Sequence, residues 1–255
     1  MSDAPSTGLQ LHVLGAGPAY TDRPGALGSA YLVSAAGASI VLDLGQGVFP
    51  SLASAIEPST LAAVVVSHLH PDHWIDLVPL RHYLRYEFDP PRRVAVHVPG
   101  PLAERLDALH GEPGFTAEAL DVVPLAATTI GPFGIRATKV THTPESHALR
   151  VELTGRDLPG LVYSGDCGRA MDLAPLIQPG DTLLAEVSFG PGPVPVDALH
   201  LDGPAIGELA RATGPGRILL THLQMGYDAD RTLESVRALY DGPVSFVSPG
   251  DRPAI

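Results

Sequence analysis

Ten residues, "SHLHPDHWID" from Ser67 to Asp76, hold three histidines and two aspartates directly after Ala62-Ala63-Val64-Val65-Val66. Within them His68, His70, Asp72 and His73 form an H-x-H-x-D-H pattern. On a strand or extended loop, positions i and i+2 point the same way, so His68 and His70 can share one ion. Pro71 favours a turn, after which Asp72 and His73 can face a neighbouring ion. Imidazole and carboxylate suit zinc, with manganese or iron as substitutes. A polar loop with chance histidines is the plainer reading. So dense a cluster argues against it, because imidazoles that are buried or half-buried need partners.

The elements around the cluster must place it at the end of something rigid. Leu61 to Val66 reads as a buried strand that delivers the cluster at its end, and Trp74 to Tyr86 as a helix leading away. Before them come a strand at Leu9 to Leu14, a hairpin of Ala30 to Ser34 and Ser39 to Leu44 around Ala36-Gly37, and a short helix from Pro50 to Ile56 with proline in its first turn. After them, Arg93 to Val98 is a strand and Leu102 to Leu109 a helix. Val122 to Thr141 reads as strands turning at Gly131 to Gly134, and Leu149 to Leu153 and Leu161 to Ser164 are strands flanking Gly155 to Gly160. Thr182 to Val187 is a strand, Gly190 to Val194 a proline-glycine loop, Ala205 to Ala212 a helix, Ile218 to Thr221 a strand, Arg231 to Tyr240 a helix and Val244 to Val247 a last strand. Mostly β material therefore comes first, and strands and helices alternate afterwards.

The chain has 255 residues, 45% apolar and 17% charged, which fits one globular α/β domain spanning 1–255. Its formal net charge of -12 argues against general affinity for nucleic acid or an anionic membrane, both of which need clustered positive charge. Cys167 is the single cysteine, so no intramolecular disulfide can form. The polar start, residues 1–7, lacks the basic and apolar regions of a signal peptide, and no run of about 18 apolar residues exists to span a bilayer. A cytoplasmic protein with no membrane partner is expected.

The H-x-H-x-D-H motif resembles the signature of the metallo-β-lactamase fold superfamily. That resemblance implies a four-layer αββα sandwich with a metal site at one edge of its sheets. It also implies further ligands in chain order: a histidine, an aspartate, then a histidine, each at a strand end. His142 in "VTHTPESHALR", Asp166 in "VYSGDCG" and His222 in "ILLTHL" match those positions. The resemblance thus implies one site of His68, His70 and His142, a second of Asp72, His73 and His222, and Asp166 bridging two divalent ions, zinc first. A hydroxide between the ions would be the nucleophile, since two cations lower its pKa. Asp43 in "VLDLGQG" matches an aspartate that orients a ligand histidine in the family, although a turn or N-cap role is as natural for it. His147 competes with His142. The family tends to carry an aromatic residue there, so His147 is expected on the pocket wall. Cys167 is expected to be a small buried side chain.

His73 and Asp166 depart from the β-lactamases proper, which lack that histidine and carry cysteine at the bridging position. Lactonase and glyoxalase branches share the ligand set. The stretch "DALHLDGPAIGELARATGPGRILLTHL" discriminates, because His200 lies 22 residues before His222 and opens a helix. It resembles the ribonuclease Z-like phosphodiesterase branch, where a histidine in this place contacts phosphate and assists the leaving alkoxide. A helix-start histidine bonded to a backbone carbonyl is the structural alternative. "GAGPAYTDRPGALGSAYLV" resembles that branch's opening loop. "HTPESHALR" and "YSGDCG" are most similar to actinobacterial cyclic-nucleotide phosphodiesterase-like members. The glycine-rich basic arm by which ribonuclease Z grips tRNA has no counterpart. Arg81, His82, Arg85, Arg92 and Arg93 make a small basic patch, a solvated helix face or, through Arg85 and His82, a contact for substrate phosphate.

The expectation is a dinuclear metal hydrolase that cleaves a small phosphodiester such as a cyclic nucleotide, with Asp72 and His200 as catalytic residues. The rivals are a tRNA 3'-end endonuclease, a lactone or thioester hydrolase, and a binding protein that merely keeps the fold. The resemblance also implies a homodimer.

Overall fold

The computed structural model describes residues 8–255. The polar opening stretch, residues 1–7, which bears on the expected cytoplasmic location, lies outside them. Among the described residues no helix is long and apolar enough to cross a membrane.

Two sheets make the inner layers. The first holds β1 (Gln10–Gly15), β2 (Ala30–Ala35), β3 (Ala38–Leu42), β4 (Ala63–Val65), β5 (Val94–Val98) and β6 (Leu120–Pro124) in chain order. β1 to β3 run antiparallel and β3 to β6 parallel. The second sheet holds β7 (Thr128–Ile130), β8 (Phe133–Lys139), β9 (His147–Leu153), β10 (Leu161–Tyr163), β11 (Thr182–Glu186), β12 (Arg217–Thr221) and β13 (Val244–Phe246). It is antiparallel up to β10 and parallel beyond. Alternation along each strand sorts side chains between faces. Val13, Tyr31, Val33, Ile40, Leu42 and Val65 point inward and meet Phe133, Ile135, Leu149, Val151 and Leu184 between the sheets.

The opposite faces carry helices. Leu14, Leu32, Val41, Val64 and Val96 pack against α1 (Phe49–Ala55), α2 (Leu77–Tyr86) and α3 (Leu102–His110) through Leu52, Leu77, Leu80, Leu84, Leu102 and Leu106. On the second sheet Val162, Leu183, Ala185, Ile218 and Leu220 pack against α4 (Gly203–Thr213) and α5 (Ala229–Arg237) through Ile206, Leu209 and Val236. The result is the expected αββα sandwich. Boundaries differ in two informative places. The expected helix from Trp74 begins at Leu77, because Pro71–His73 forms a separate 3-10 turn. The helix after His200 begins at Gly203, capped by Asp202, whose side chain accepts from Ala205 N, so His200 precedes the helix rather than opening it.

The basic patch is redistributed. Arg81 is buried, donating from Nε to Phe115 O at 2.8 Å and pairing with Glu118. Arg85 Nε donates to Glu118 Oε2 at 3.2 Å, and Arg93 Nε to Asp121 Oδ1 at 2.9 Å. His82 Nδ1 donates to Val78 O and its ring lies against Tyr86, His110 and Phe115. Arg81, Arg85 and Arg93 are thus each paired with an acidic side chain, and Arg92 lies over the Phe88 ring.

Candidate metal centre

Every element that delivers a site residue ends at the same edge of the sandwich. His68 lies three residues after β4, Asp166 three after β10 and His222 one after β12, while Glu186 closes β11. β10, β11 and β12 are parallel, so their carboxyl ends share one edge, where α/β sheets place their ligands. β8, like β10, pairs antiparallel with β9, so it runs the same way and brings His142 to that edge.

Two sets of ligand-capable atoms meet there, each within 4.8 Å: His68, His70, His142 and Asp166, and Asp72, His73, Asp166 and His222. Asp166 divides its carboxylate between them. Its Oδ2 lies 3.7 Å from Nε2 of both His68 and His142, and its Oδ1 lies 3.3 Å from His73 Nε2 and 3.5 Å from His222 Nε2. Asp72 Oδ2 stands 3.4 Å from His222 Nε2 and 3.5 Å from His73 Nε2. His142 Nε2 and His70 Nδ1 approach to 3.0 Å.

The far side of four of the rings is fixed. His73 Nδ1 donates to Asp43 Oδ2 at 2.7 Å and His142 Nδ1 to Leu199 O at 2.7 Å. His222 Nδ1 lies 3.1 Å from Ser188 Oγ, and His68 Nδ1 3.1 Å from Ser67 Oγ. With the proton held at Nδ1, the Nε2 lone pair of each faces the cluster. Asp43 is the hub of this support: it also accepts from Ser67 N, Ser67 Oγ and the Tyr163 hydroxyl. Both Asp43 (φ 56°) and His222 (φ 59°) sit in the left-handed region, strain of the kind that clusters at functional sites. Gly45 lets the "DLGQG" turn pass under the metal motif, since a Cβ there would lie 1.9 Å from Asp72 O.

This set fits divalent metal. Nε2 of His68, His73 and His222 and Oδ1 of Asp166 are buried with no hydrogen-bond partner. Each such atom left unmet costs about 1–3 kcal/mol. Three imidazole nitrogens and a carboxylate oxygen turned toward one another are donors for a cation. Burial drives His68 well below its ordinary pKa, toward the neutral form a ligand needs. Burial would likewise depress His73, but the carboxylates of Asp166 and Asp43 hold it well above the ordinary value. Asp166 is kept well below the carboxylate range: burial opposes this, and His222, His73 and His68 outweigh it.

The structure brings His142 into the cluster and leaves His147 out. His147 Nδ1 bonds to Glu145 O, and His147 N to Ser67 O. In protein prepared without chelator, His142→Ala is therefore expected to lose metal and His147→Ala to keep it, as measured by elemental analysis. The opposite pattern would reverse the assignment. Arg85 and His82 are not brought to the cluster, because the partners that hold them belong to the α2–α3 face. Cys167 is buried, its thiol pushed up to about 12 by burial, and its Sγ bonds to Arg169 O.

Three site residues escape a reading of the sequence. Glu186, buried at the end of β11, accepts from His200 Nδ1 at 2.9 Å, Cys167 N at 3.0 Å, and Ser188 N at 2.9 Å. Ser188 Oγ donates to Glu186 Oε2 at 2.6 Å, joining that carboxylate to His222. Arg23 donates to the carbonyls of Leu223, Gln224 and Tyr227, strapping the opening loop to the segment after His222. An acid closing an otherwise apolar strand, "TLLAE", is the one local signal among these. His200 thus bonds to a carboxylate rather than a backbone carbonyl. Its ring lies 4.7 Å from that of His142, and its Nδ1 4.0 Å from Asp166 Oδ2. Burial opposes protonation of His200, but Glu186 and Asp166 raise its pKa above the ordinary value. Glu186, His200 and His222 also form a third set of ligand-capable atoms within 4.8 Å.

The family model described as the beta-lactamase superfamily domain matches residues 40–223. The uncharacterized protein ML1173 of Mycobacterium leprae is 32% identical over 225 residues, covering 83% of this chain and 76% of its own length. The probable metallo-hydrolase YhfI of Bacillus subtilis is 25% identical over 223 residues, covering 87% of this chain and 90% of its own. The crystal structure of YhfI superposes with a TM-score of 0.83 at 22% identity, over 96% of this chain and 99% of that one. The human short-form tRNase Z superposes with a TM-score of 0.73 at 17% identity, over 96% and 99%.

Proposed function

The chain belongs to the beta-lactamase superfamily, as a hydrolase of the metallo-β-lactamase fold, and from that footing we propose that it is a dinuclear phosphodiesterase acting on small cyclic nucleotides. The observation that carries the reading is the Glu186–His200 pair, hydrogen-bonded at 2.9 Å, with His200 Nδ1 4.0 Å from Asp166 Oδ2 of the ligand cluster. Ester exchange at phosphorus stalls on a poor alkoxide leaving group unless a proton or a cation meets it. Glu186 commits Nδ1 of His200 and favours its charged form, which leaves Nε2 to donate to a leaving 3'-oxygen.

His68, His70 and His142 would hold one ion, Asp72, His73 and His222 the other, and Asp166 both, one oxygen to each set. Bound divalent cations, zinc above all, would supply Lewis acidity toward phosphoryl oxygens and a more acidic attacking water. Asp72, beside His73 and His222, would take that water's proton. Asp43, through His73 Nδ1, and Leu199 O, through His142 Nδ1, keep two of the ligand rings from turning.

Small substrates rather than polynucleotide are supported by charge. The net charge is -12, and Arg81, Arg85 and Arg93 are each spent on an acidic partner. A nucleic-acid track needs free cations along its length. The test is a substrate panel for the metal-loaded protein: cyclic AMP, cyclic GMP, 2',3'-cyclic nucleotides, bis(p-nitrophenyl) phosphate, pre-tRNA and a lactone. The expected result is the highest kcat/KM on cyclic nucleotides, with weak cutting of pre-tRNA and none of the lactone. Efficient, length-specific cleavage of pre-tRNA with no turnover of cyclic nucleotides would overturn the reading.

A further inference from the structure

Large apolar side chains exposed next to a site can mark where a ligand rests. Of the nine that the described residues leave exposed, Tyr20, Met171, Val196, Leu199 and Met225 lie in segments that neighbour the site residues in sequence. Val196 is fully exposed on the loop leading to His200, and Met225 is 46% exposed three residues after His222. Leu199 is bound to the cluster directly, its carbonyl accepting from His142 Nδ1.

Two half-buried aromatic rings stand between these loops. Phe189 lies 6.1 Å from the His200 ring and 5.9 Å from the Tyr227 ring, centroid to centroid. Tyr227 is held from both sides. Its backbone carbonyl accepts from Arg23, and its ring packs on Gly190, where an added Cβ would come within 2.8 Å of it. The arginine that reaches Tyr227 is not free. The Arg23 guanidinium is spent on three carbonyls, and Arg169 lies 4.0 Å from Asp172.

We infer that Phe189 and Tyr227, with Met225 two residues before Tyr227, form an apolar subsite beside His200 that takes a flat aromatic group carried by the substrate, with a nucleobase as its chemical class. The inference rests on the phosphodiesterase reading above and adds the part of the substrate that does not react. Continuity with the metal cluster argues for substrate rather than a separate partner: His142, Leu199 and His200 join the ligands to the apolar loop without a break. Base stacking on an aromatic side chain tolerates any base and needs no cation. It therefore suits a loop whose nearest arginine, Arg23, is already engaged.

The test compares metal-loaded enzyme on cyclic AMP and on the 3',5'-cyclic phosphate of 1-O-methyl ribose, which lacks the base. Tyr227→Ala and, separately, Met225→Ser are expected to raise KM for cyclic AMP, Tyr227→Ala by about tenfold, with kcat held within about twofold. On the base-free diester both variants should match the parent, and Tyr227→Phe should restore the parent KM on cyclic AMP. Met225 is exposed, so its variant reads the subsite even if Tyr227→Ala loosens the loop. Equal changes on the two diesters, or none, would overturn the subsite while leaving the phosphodiesterase reading intact. A dimer dissociated by Met225→Ser in light scattering, with KM unchanged, would overturn it too and make the patch a contact between copies. No turnover of either diester would remove both the subsite and the reading beneath it.

Discussion

Asp166→Asn is expected to empty the metal centre. Protein prepared without chelator should fall from about two ions per chain toward none, and turnover on any diester should drop by more than about 10²-fold. Asp166 gives Oδ2 to His68 and His142 and Oδ1 to His73 and His222, so one substitution touches both ligand sets. Residues that only orient a metal ligand already cost about 10–100-fold when removed, and an oxygen donor common to two ions should exceed that. Asparagine keeps the shape and one acceptor, so a chelator-treated sample should unfold at nearly the parent temperature. Elemental analysis beside a thermal melt separates loss of metal from loss of fold. An Asp166→Asn protein that holds two ions and turns over near the parent rate would refute the bridging role.

The reasons why part of this site is legible in sequence, and part is not, are local. The H-x-H-x-D-H run is legible because its candidate ligands lie within six residues and follow a short apolar, valine-rich run that reads as a buried strand. The two sheets follow from the same period-2 sorting: Val64 faces the helices while Ala63 and Val65 face the opposite sheet. His142 is different. Nothing in spacing prefers it to His147, and only its place beyond β8, with Leu199 O fixing its ring, makes the distinction. Glu186 reads as the polar end of an apolar strand, because the residue it serves, His200, comes 14 positions later across a proline-rich loop. Arg81 errs the other way. Its charge suggests a solvated face, yet the stem is buried and the guanidinium reaches Phe115 O and Glu118, a tertiary contact that no helical pattern encodes. Arg23 is likewise invisible until the loop after His222 folds back upon it.

His200→Ala should keep its metal and lose its chemistry. The side chain is 19% exposed and its Nδ1 is already held by Glu186, so neither ligand set that contains Asp166 needs it. Turnover of cyclic AMP is expected to fall by roughly 10²–10⁴, the usual worth of a positioned acid–base group. The loss should shrink on bis(p-nitrophenyl) phosphate, because p-nitrophenolate leaves without being protonated and asks little of an acid. Glu186→Gln should show the same contrast between substrates in milder form: the amide can still accept from His200 Nδ1 but no longer stabilises the imidazolium. That shared signature distinguishes an acid from a residue that merely shapes the cleft, which would lower both substrates alike. Equal losses on good and poor leaving groups would reduce His200 to a phosphate-positioning role. Loss of an ion from His200→Ala would instead assign Glu186, His200 and His222 to metal, since those three also converge within 4.8 Å.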